Sequence, residues 1–316
     1  MNSHATKTAL VTGASSGVGW EAAAQLAEAG YGRIIITART AAKVAEAGAS
    51  LSARVPGAQF VPVTLDLDDF GSISRAADAL IADGTAIDAL ILNAGVASTT
   101  QLRRTSAGIE QIMAATLTGH HAFTQHLLRG GLLSAHAHII IAGSEAARGD
   151  VPSFTIVDVA ELAAASFDGD LERAIEAILR AEPPVKYSNN SQYATAKTFA
   201  VWWAKELATQ LPSGMTVNAV SPGNTPDTQA SRAMPAIMRR VLLPLMKLIP
   251  GVSHSIPAAA ARYLSAVEMS DDVTGTFFAS PPKKMTGQLT AATQGHFTNP
   301  TGQRALWNVL ERLTAE

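Results

Sequence analysis

Residues 8–19 read TALVTGASSGVG. The first four form a short, apolar, β-prone run, and the next eight bring Gly13, Gly17 and Gly19 to the point where that run gives way to a helical pattern. Glycine at such a turn lets the backbone bend tightly and approach a pyrophosphate, which can sit on the free N–H groups of the helix N-terminus. A strand-to-helix turn that binds nothing would use the same residues, so the loop must be read with its context.

That context is an alternation. The helical stretch Glu21 to Ala29 is followed by RIIIT from 33, a helical stretch Ala41 to Ala53, QFVPVT from 59, a helix from Phe70 to Ala82 and IDALIL from 87. A helix near 108–129, HIIIAG from 138, a helix from about 191 to 211, MTVNAV from 215, a helix near 257–267 and GTFFAS from 275 complete the series. Short β-branched runs separated by helical stretches are the signature of βαβ units. The expected fold is α/β, a doubly wound Rossmann arrangement on a seven-stranded parallel sheet, with residues 1–316 as one unit. Two segments break the rhythm. Residues 145–190 place Leu171, Ile175, Ile178 and Leu179 at helical spacing behind Asp170, which predicts an inserted amphipathic helix. Residues 224–255 open with NTPDTQAS and turn apolar from Met234 through Ile237 and Met238, which suits a lid over a substrate.

Composition narrows the class. Hydrophobic residues make up 47% and charged residues 16% of the 316, the balance of a chain with a well-buried core. Lys+Arg 24 stand against Asp+Glu 26, and no basic run exceeds Lys283-Lys284, so nothing here recruits nucleic acid. The chain has no cysteine, which excludes disulfides and thiolate metal sites. Its polar start, MNSHATK, carries no apolar signal core, and the most apolar stretch, 241–251, is short and broken by Pro244 and Lys247, so a cytoplasmic protein without a membrane span is expected. His120, His121, His136 and His138 come in two pairs without further ligands nearby, so no metal site is expected and they read as helix and strand-edge residues. Trp202 and Trp203 read as packing or interface residues and not as substrate readers.

Residues 189–197, NNSQYATAK, place Tyr193 four positions before Lys197, on one face of a helix. That spacing is weak alone, but it stands in a series: TGASSGVG at 12–19, Asp66 in LDLDD, Asn93-Ala94-Gly95, Ser144 after the fifth strand, and Ser221-Pro222-Gly223. In these motifs and their order the chain resembles the short-chain dehydrogenase/reductase family over nearly its whole length, with features of its carbonyl reductase, retinol dehydrogenase and protochlorophyllide reductase branches. The resemblance implies Ser144, Tyr193 and Lys197 as catalytic residues. It implies cofactor contacts from Gly13, Ser15, Ser16, Gly17, Val18 and Gly19, from Arg39 and Thr40, and from Asp66 and Leu67. Further contacts are implied from Asn93, Ala94 and Gly95, from Tyr193 and Lys197 again, and from Pro222, Gly223 and Thr225. Lys197 is expected to hold the nicotinamide ribose and, by its charge, to favour the Tyr193 phenolate, while Ser144 binds the substrate oxygen.

The loop after the second strand bears on cofactor choice, because an acidic residue there suits NAD and an arginine suits the extra phosphate of NADP. It contains Arg39 and no acidic residue before Glu46, so NADP(H) is expected. A solvated loop arginine is the alternative. The sequence also departs from the family. The long interval from Ser144 to Tyr193 resembles that of monomeric carbonyl reductases and favours a monomer or dimer over a tetramer, although an insertion that only decorates the surface would look the same. Thr116 stands where the family usually has an asparagine that serves a proton-relay water. The expected activity is NADPH-dependent hydride transfer to or from a carbonyl or secondary alcohol of an apolar small molecule. A non-catalytic NADP-binding regulatory or scaffold protein, and a peripheral membrane enzyme held by the lid, are the other readings.

Overall fold

The computed structural model describes residues 6–97, 101–225 and 253–315. Eight strands form one sheet in the order β3-β2-β1-β4-β5-β6-β7-β8. The strands are β1 Thr8–Val11, β2 Arg33–Ala38, β3 Gln59–Thr64, β4 Ile87–Leu92, β5 Leu133–Ala142, β6 Thr216–Val220, β7 Phe277–Ala279 and β8 Thr290–Ala291. The first seven run parallel, as the alternation predicts, and β8 pairs antiparallel with β7 through Phe278↔Ala291 and Ala279↔Thr290. The seven-strand expectation therefore falls one short. Two exposed residues carry no readable period, and β8 exists only because a distant loop delivers it to the sheet edge.

Both faces of the sheet are covered, which is why its strands read as continuous apolar runs. Leu10 of β1 faces one core layer with Leu90, Ile139 and Phe199, whereas Ala9 and Val11 face the other with Ile34, Ile36 and Ala23. Helices α1 Gly17–Glu28 and α2 Ala41–Arg54 cover the second layer, and α3 Phe70–Asp83 covers the first. The reversal of strand order between β1 and β4 opens a crevice at the carboxyl ends of the strands.

The helix expected over 108–129 is not uniform. It comprises α4 Gln111–Met113, a π-helical turn Ala114–Thr118 and α5 Gly119–Arg129. Glu110 sets its start by accepting from the Ile112 and Met113 N–H groups at 2.9 and 3.1 Å. Gly119 shows why the backbone passes so close to its neighbour: a Cβ there would stand 2.3 Å from the Leu67 carbonyl oxygen.

The insertion holds a short 3-10 turn, Glu145–Arg148, and two α-helices, not one. Helix α7, Leu171–Arg180, is the expected amphipathic helix, with Asp170 accepting from Arg173 N–H at 3.0 Å. Ahead of it lies α6 Val159–Ser166, whose Asp158 cap accepts from Glu161 N–H at 3.0 Å. Aspartate followed three residues later by glutamate is the signal that marks this start. Helix α8, Asn189–Gln210, carries Tyr193 and Lys197, then α9 Ile256–Val267 and α10 Pro300–Thr314 follow. Helix α10 is tied to α7 by Arg312, which meets Glu172 and Glu176 at 2.9 and 3.0 Å. Between them these helices bury Phe199, Trp202 and Trp203 of α8, as packing residues should be. Residues 226–252 of the expected lid lie outside the described residues. No helix among the described residues is long and apolar enough to cross a membrane.

Candidate active site

The crevice is a cleft of about 450 Å³ that begins at the glycine turn. Gly13 and Gly17 have φ of +66° and +63°, a region that only glycine enters cheaply. Gly19 serves packing, since a Cβ there would meet Asn93 Nδ2 at 2.4 Å and the Gly13 carbonyl at 2.5 Å. Asn93 in turn donates from Nδ2 to the Thr12 carbonyl at 3.0 Å, so the β4 end and the glycine turn are locked together. Among the described residues no side chain caps the first turn of α1 and no carboxylate stands in it, so the positive end of the helix faces the cleft.

The predicted residues converge here. Ser15, Ser16 and Val18 line the cleft beside the three glycines, with Arg39 at one end. Asp66, Leu67, Asn93, Ala94, Gly95, Tyr193, Lys197, Pro222 and Thr225 line it as well. Three are not on its wall. Thr40 caps α2, accepting from Lys43 N–H at 3.4 Å. Gly223, at φ +79°, sits behind Pro222 and donates its N–H to Ser221 Oγ at 3.1 Å. Ser144 is half-buried after β5, where Oγ accepts from Ala146 N–H at 3.2 Å, and it stands near enough to Tyr193 to act on its phenol.

Sequence reasoning missed Lys43, Asp68 and Tyr263, all on the cleft wall. Lys43 had a readable signal, four positions after Arg39 at the start of a helix. Asp68 is next but one to Asp66, and burial raises its carboxyl above the ordinary value despite a bond from Gln111 at 2.9 Å. Tyr263 arrives on α9, and nothing local marks it.

The electrostatics differ from the simple expectation for Tyr193. Burial pushes the phenol up, nearby Ser144 opposes this, and the Glu145 carboxylate adds to the rise. Lys197 Nζ lies 5.8 Å from the centroid of the Tyr193 ring and donates to the Ala142 carbonyl at 2.7 Å. Burial lowers the ammonium to about 8, so it remains charged at neutral pH. The phenol is thus held protonated, and the trio offers a hydroxyl pair next to a buried cation. The arrangement suits passing a proton to or from an oxygen in the cleft.

His120 is more than a helix residue. Its Nδ1 faces the Thr116 carbonyl of the π-turn at 3.3 Å, and a carbonyl only accepts, so Nδ1 carries the proton. Its Nε2 then accepts from Thr12 Oγ1 at 2.9 Å, and that hydroxyl also accepts from Ala94 N–H at 3.0 Å. Burial lowers the imidazole from 6.5 to about 3, so it is neutral. Between those two values the unfolded chain binds the extra proton, so stability is complete above pH 6.5 and falls as pH drops. The expected loss from this residue is about 2 kcal/mol between pH 7 and 5. Urea unfolding at the two pH values should show a loss smaller by about that increment in His120→Gln than in the wild type, since buried His121 and half-buried His138 add losses of their own.

Comparisons with known proteins bear on the fold and the family. The family model for short chain dehydrogenase matches residues 7–167. Human retinol dehydrogenase 12 is 26% identical over 307 residues, covering 96% of this chain and 84% of that protein. Bovine dehydrogenase/reductase SDR family member 13 is 27% identical over 276 residues, and the match covers 87% of this chain and 66% of that protein. Among solved structures, a protein from Mycobacterium paratuberculosis superposes with a TM-score of 0.71 at 21% identity, covering 100% of this chain and 96% of the other. A short chain dehydrogenase from Burkholderia cenocepacia in complex with NADP gives 0.62 at 24% identity, covering 87% and 96%. The structures speak for the shared fold, and the sequence match, which spans half of the chain, speaks for descent: the chain belongs to the short chain dehydrogenase family of oxidoreductases.

Proposed function

We propose that this chain is an NADPH-dependent reductase, or a dehydrogenase in the reverse direction, acting on a carbonyl or secondary alcohol of an apolar small molecule. The observation that carries the reading is Tyr193, with Ser144 near it and buried Lys197 5.8 Å from its ring, in the cleft that Arg39 and Lys43 also line. The cleft fits a dinucleotide with an extra phosphate: glycines at positive φ, a helix start without a carboxylate for the pyrophosphate, and Arg39 with Lys43 after β2. Asp68 Oδ1, on the cleft wall, is buried without a partner among the described residues, an acceptor ready for such a guest. When bound, the cofactor supplies or accepts the hydride.

In this reading Ser144 donates to the substrate oxygen, and Tyr193 gives that oxygen a proton in reduction or takes it in oxidation. Lys197 holds ribose hydroxyls and keeps a positive charge beside the phenol. Human retinol dehydrogenase 12 is named for an apolar alcohol, which supports an apolar substrate here. The test is NADPH oxidation with ketones and aldehydes graded by apolar length. Consumption by the apolar members is expected, whereas tight NADPH binding with no turnover across the panel would instead favour a scaffold protein.

The proton relay should tolerate the loss of its threonine. Thr116 sits in the π-turn, where backbone carbonyls lose their usual helical partners and can hold a water. Its hydroxyl and Lys197 Nζ both approach Gly95, at 3.6 and 4.0 Å from where a Cβ would stand. Thr116→Ala is therefore expected to cost less than about tenfold in turnover, because the backbone supplies most of the site. Abolished turnover with folding and NADPH affinity intact would make the hydroxyl a direct relay member.

We further read residues 1–316 as one unit and the assembly as a monomer or dimer. Helix α8 has its apolar side buried against α10 and β6, which leaves no broad apolar face on it for association among the described residues. Sedimentation should give one of these species, and a tetramer at micromolar concentration would contradict the reading.

A further inference from the structure

Beneath the Ser144–Tyr193 pair lies a buried charged cluster that the chemistry above does not use. Glu145 is 2% exposed and Arg262 6%, and they face each other at 3.5 Å. Glu145 Oε2 accepts from Ser221 Oγ at 2.5 Å, while Oε1 accepts from Ser280 N–H and Oγ at 3.1 and 2.8 Å. Arg262 donates to the Ser221 carbonyl, Ser280 Oγ and the Gly287 carbonyl at 2.9, 3.0 and 2.6 Å. One carboxylate thus joins the ends of β5, β6 and β7 and, through Arg262, helix α9. Ser221 Oγ passes the link on, because it also accepts from Gly223 N–H.

A second buried arginine braces the same region. Arg148 donates to the carbonyls of Ser280, Pro281 and Lys284 at 2.6, 3.0 and 2.9 Å. The loop so held places the Met285 carbonyl where it accepts from Asn224 N–H at 3.1 Å, directly after Gly223. Burying an ion pair costs desolvation that the mutual attraction need not recover, so such a pair is a poor source of stability. Its directional bonds do something apolar packing cannot: they fix the relative register of backbone segments.

We propose that Glu145, braced by Arg262, is a positioning residue that locks the backbone at Ser144 to the Ser221–Gly223 turn, so that one carboxylate sets the serine and the turn together. The consequence for catalysis rests on the function proposed above, but the positioning itself does not. The test therefore begins without cofactor, by NMR amide exchange. Glu145→Ala should speed exchange at Gly223 and Ala146 at least about tenfold while leaving β1 to β4 unchanged, as expected for local opening. Glu145→Gln keeps polar atoms for Ser280 and Ser221 and should stay within about threefold of wild type. With NADPH, the Ala variant should raise Kd and lower kcat, and Gln should recover both. Unchanged exchange at Gly223 in Glu145→Ala overturns the proposal, as does Gln behaving like Ala, which would assign the effect to charge. Faster exchange in a protein that never binds NADPH would keep the positioning role and sink the function reading instead. Should the Ala variant fail to fold, Glu145→Asp, one methylene short of its partners, replaces it: faster exchange at Gly223 is again expected, and unchanged exchange again overturns the proposal.

Discussion

Tyr193→Phe is expected to lower turnover by about 10²-fold or more, the usual cost of losing a general acid, with NADPH affinity nearly unchanged. The substitution keeps the ring, which packs against Phe154 at a centroid distance of 5.9 Å, and it leaves the Lys197 ammonium bonded to the Ala142 carbonyl. What disappears is the hydroxyl that Ser144 meets. Loss of one hydroxyl's polar contacts costs about 1 kcal/mol of stability, too little to unfold the protein. Folding and chemistry are thereby separated. The pH dependence follows from the same environment. Burial and Glu145 raise the phenol, so it stays protonated and able to donate through neutrality, and reduction should slow only as the pH climbs into the alkaline range. Lys197, lowered to about 8, sheds its charge in that range too, so the alkaline limb should be steeper than one ionisation allows. Stopped-flow reduction by NADPH measures both quantities, and wild-type rates in the phenylalanine variant would remove Tyr193 from the chemistry.

Arg39→Asp is expected to reverse cofactor preference. Arg39 is exposed and lines the cleft at its basic end, with Asp68 near enough to feel its charge. A charge-assisted contact to a ribose phosphate is worth about 1.5–3 kcal/mol, which converts to a preference for NADPH over NADH of about tenfold to a hundredfold. Aspartate removes that contact, repels the phosphate and offers an acceptor to ribose hydroxyls, so NADH affinity should hold or rise as NADPH affinity falls. Lys43 is also exposed at this end of the cleft and keeps part of the attraction, so Lys43→Ala should have the smaller effect and the double variant the largest. The ratio of the two dissociation constants is the measurement. An unchanged ratio in Arg39→Asp would leave Arg39 a solvated loop residue.

Much of this site was legible before any fold was known, because its parts are short and local. A glycine at positive φ, a β-branched run and a tyrosine one helical turn before a lysine each express a preference that acts within a few residues. The strand alternation decided the crevice, since parallel strands with crossover helices leave few places for one. Other features had no local expression. Thr12 meets His120 across 108 positions, and Arg262 meets Glu145 across 117, with nothing near either residue to mark its partner. The edge strand β8, Tyr263 on the cleft wall and the rise in the Tyr193 phenol all depend on what surrounds a group after folding. The π-turn at Thr116 is intermediate, since the close pass of Gly119 over Leu67 helps shape that helix and only the packed structure brings the two together. The sequence by itself determined the strand alternation and the glycine turn through local backbone preference, whereas the Ser144, Tyr193 and Lys197 set was legible only through the resemblance of its motifs to a family. Tertiary structure alone decided which charges are buried, which hydroxyls lack partners and how far each proton is held from its ordinary equilibrium, because desolvation is a property of the environment and not of the residue.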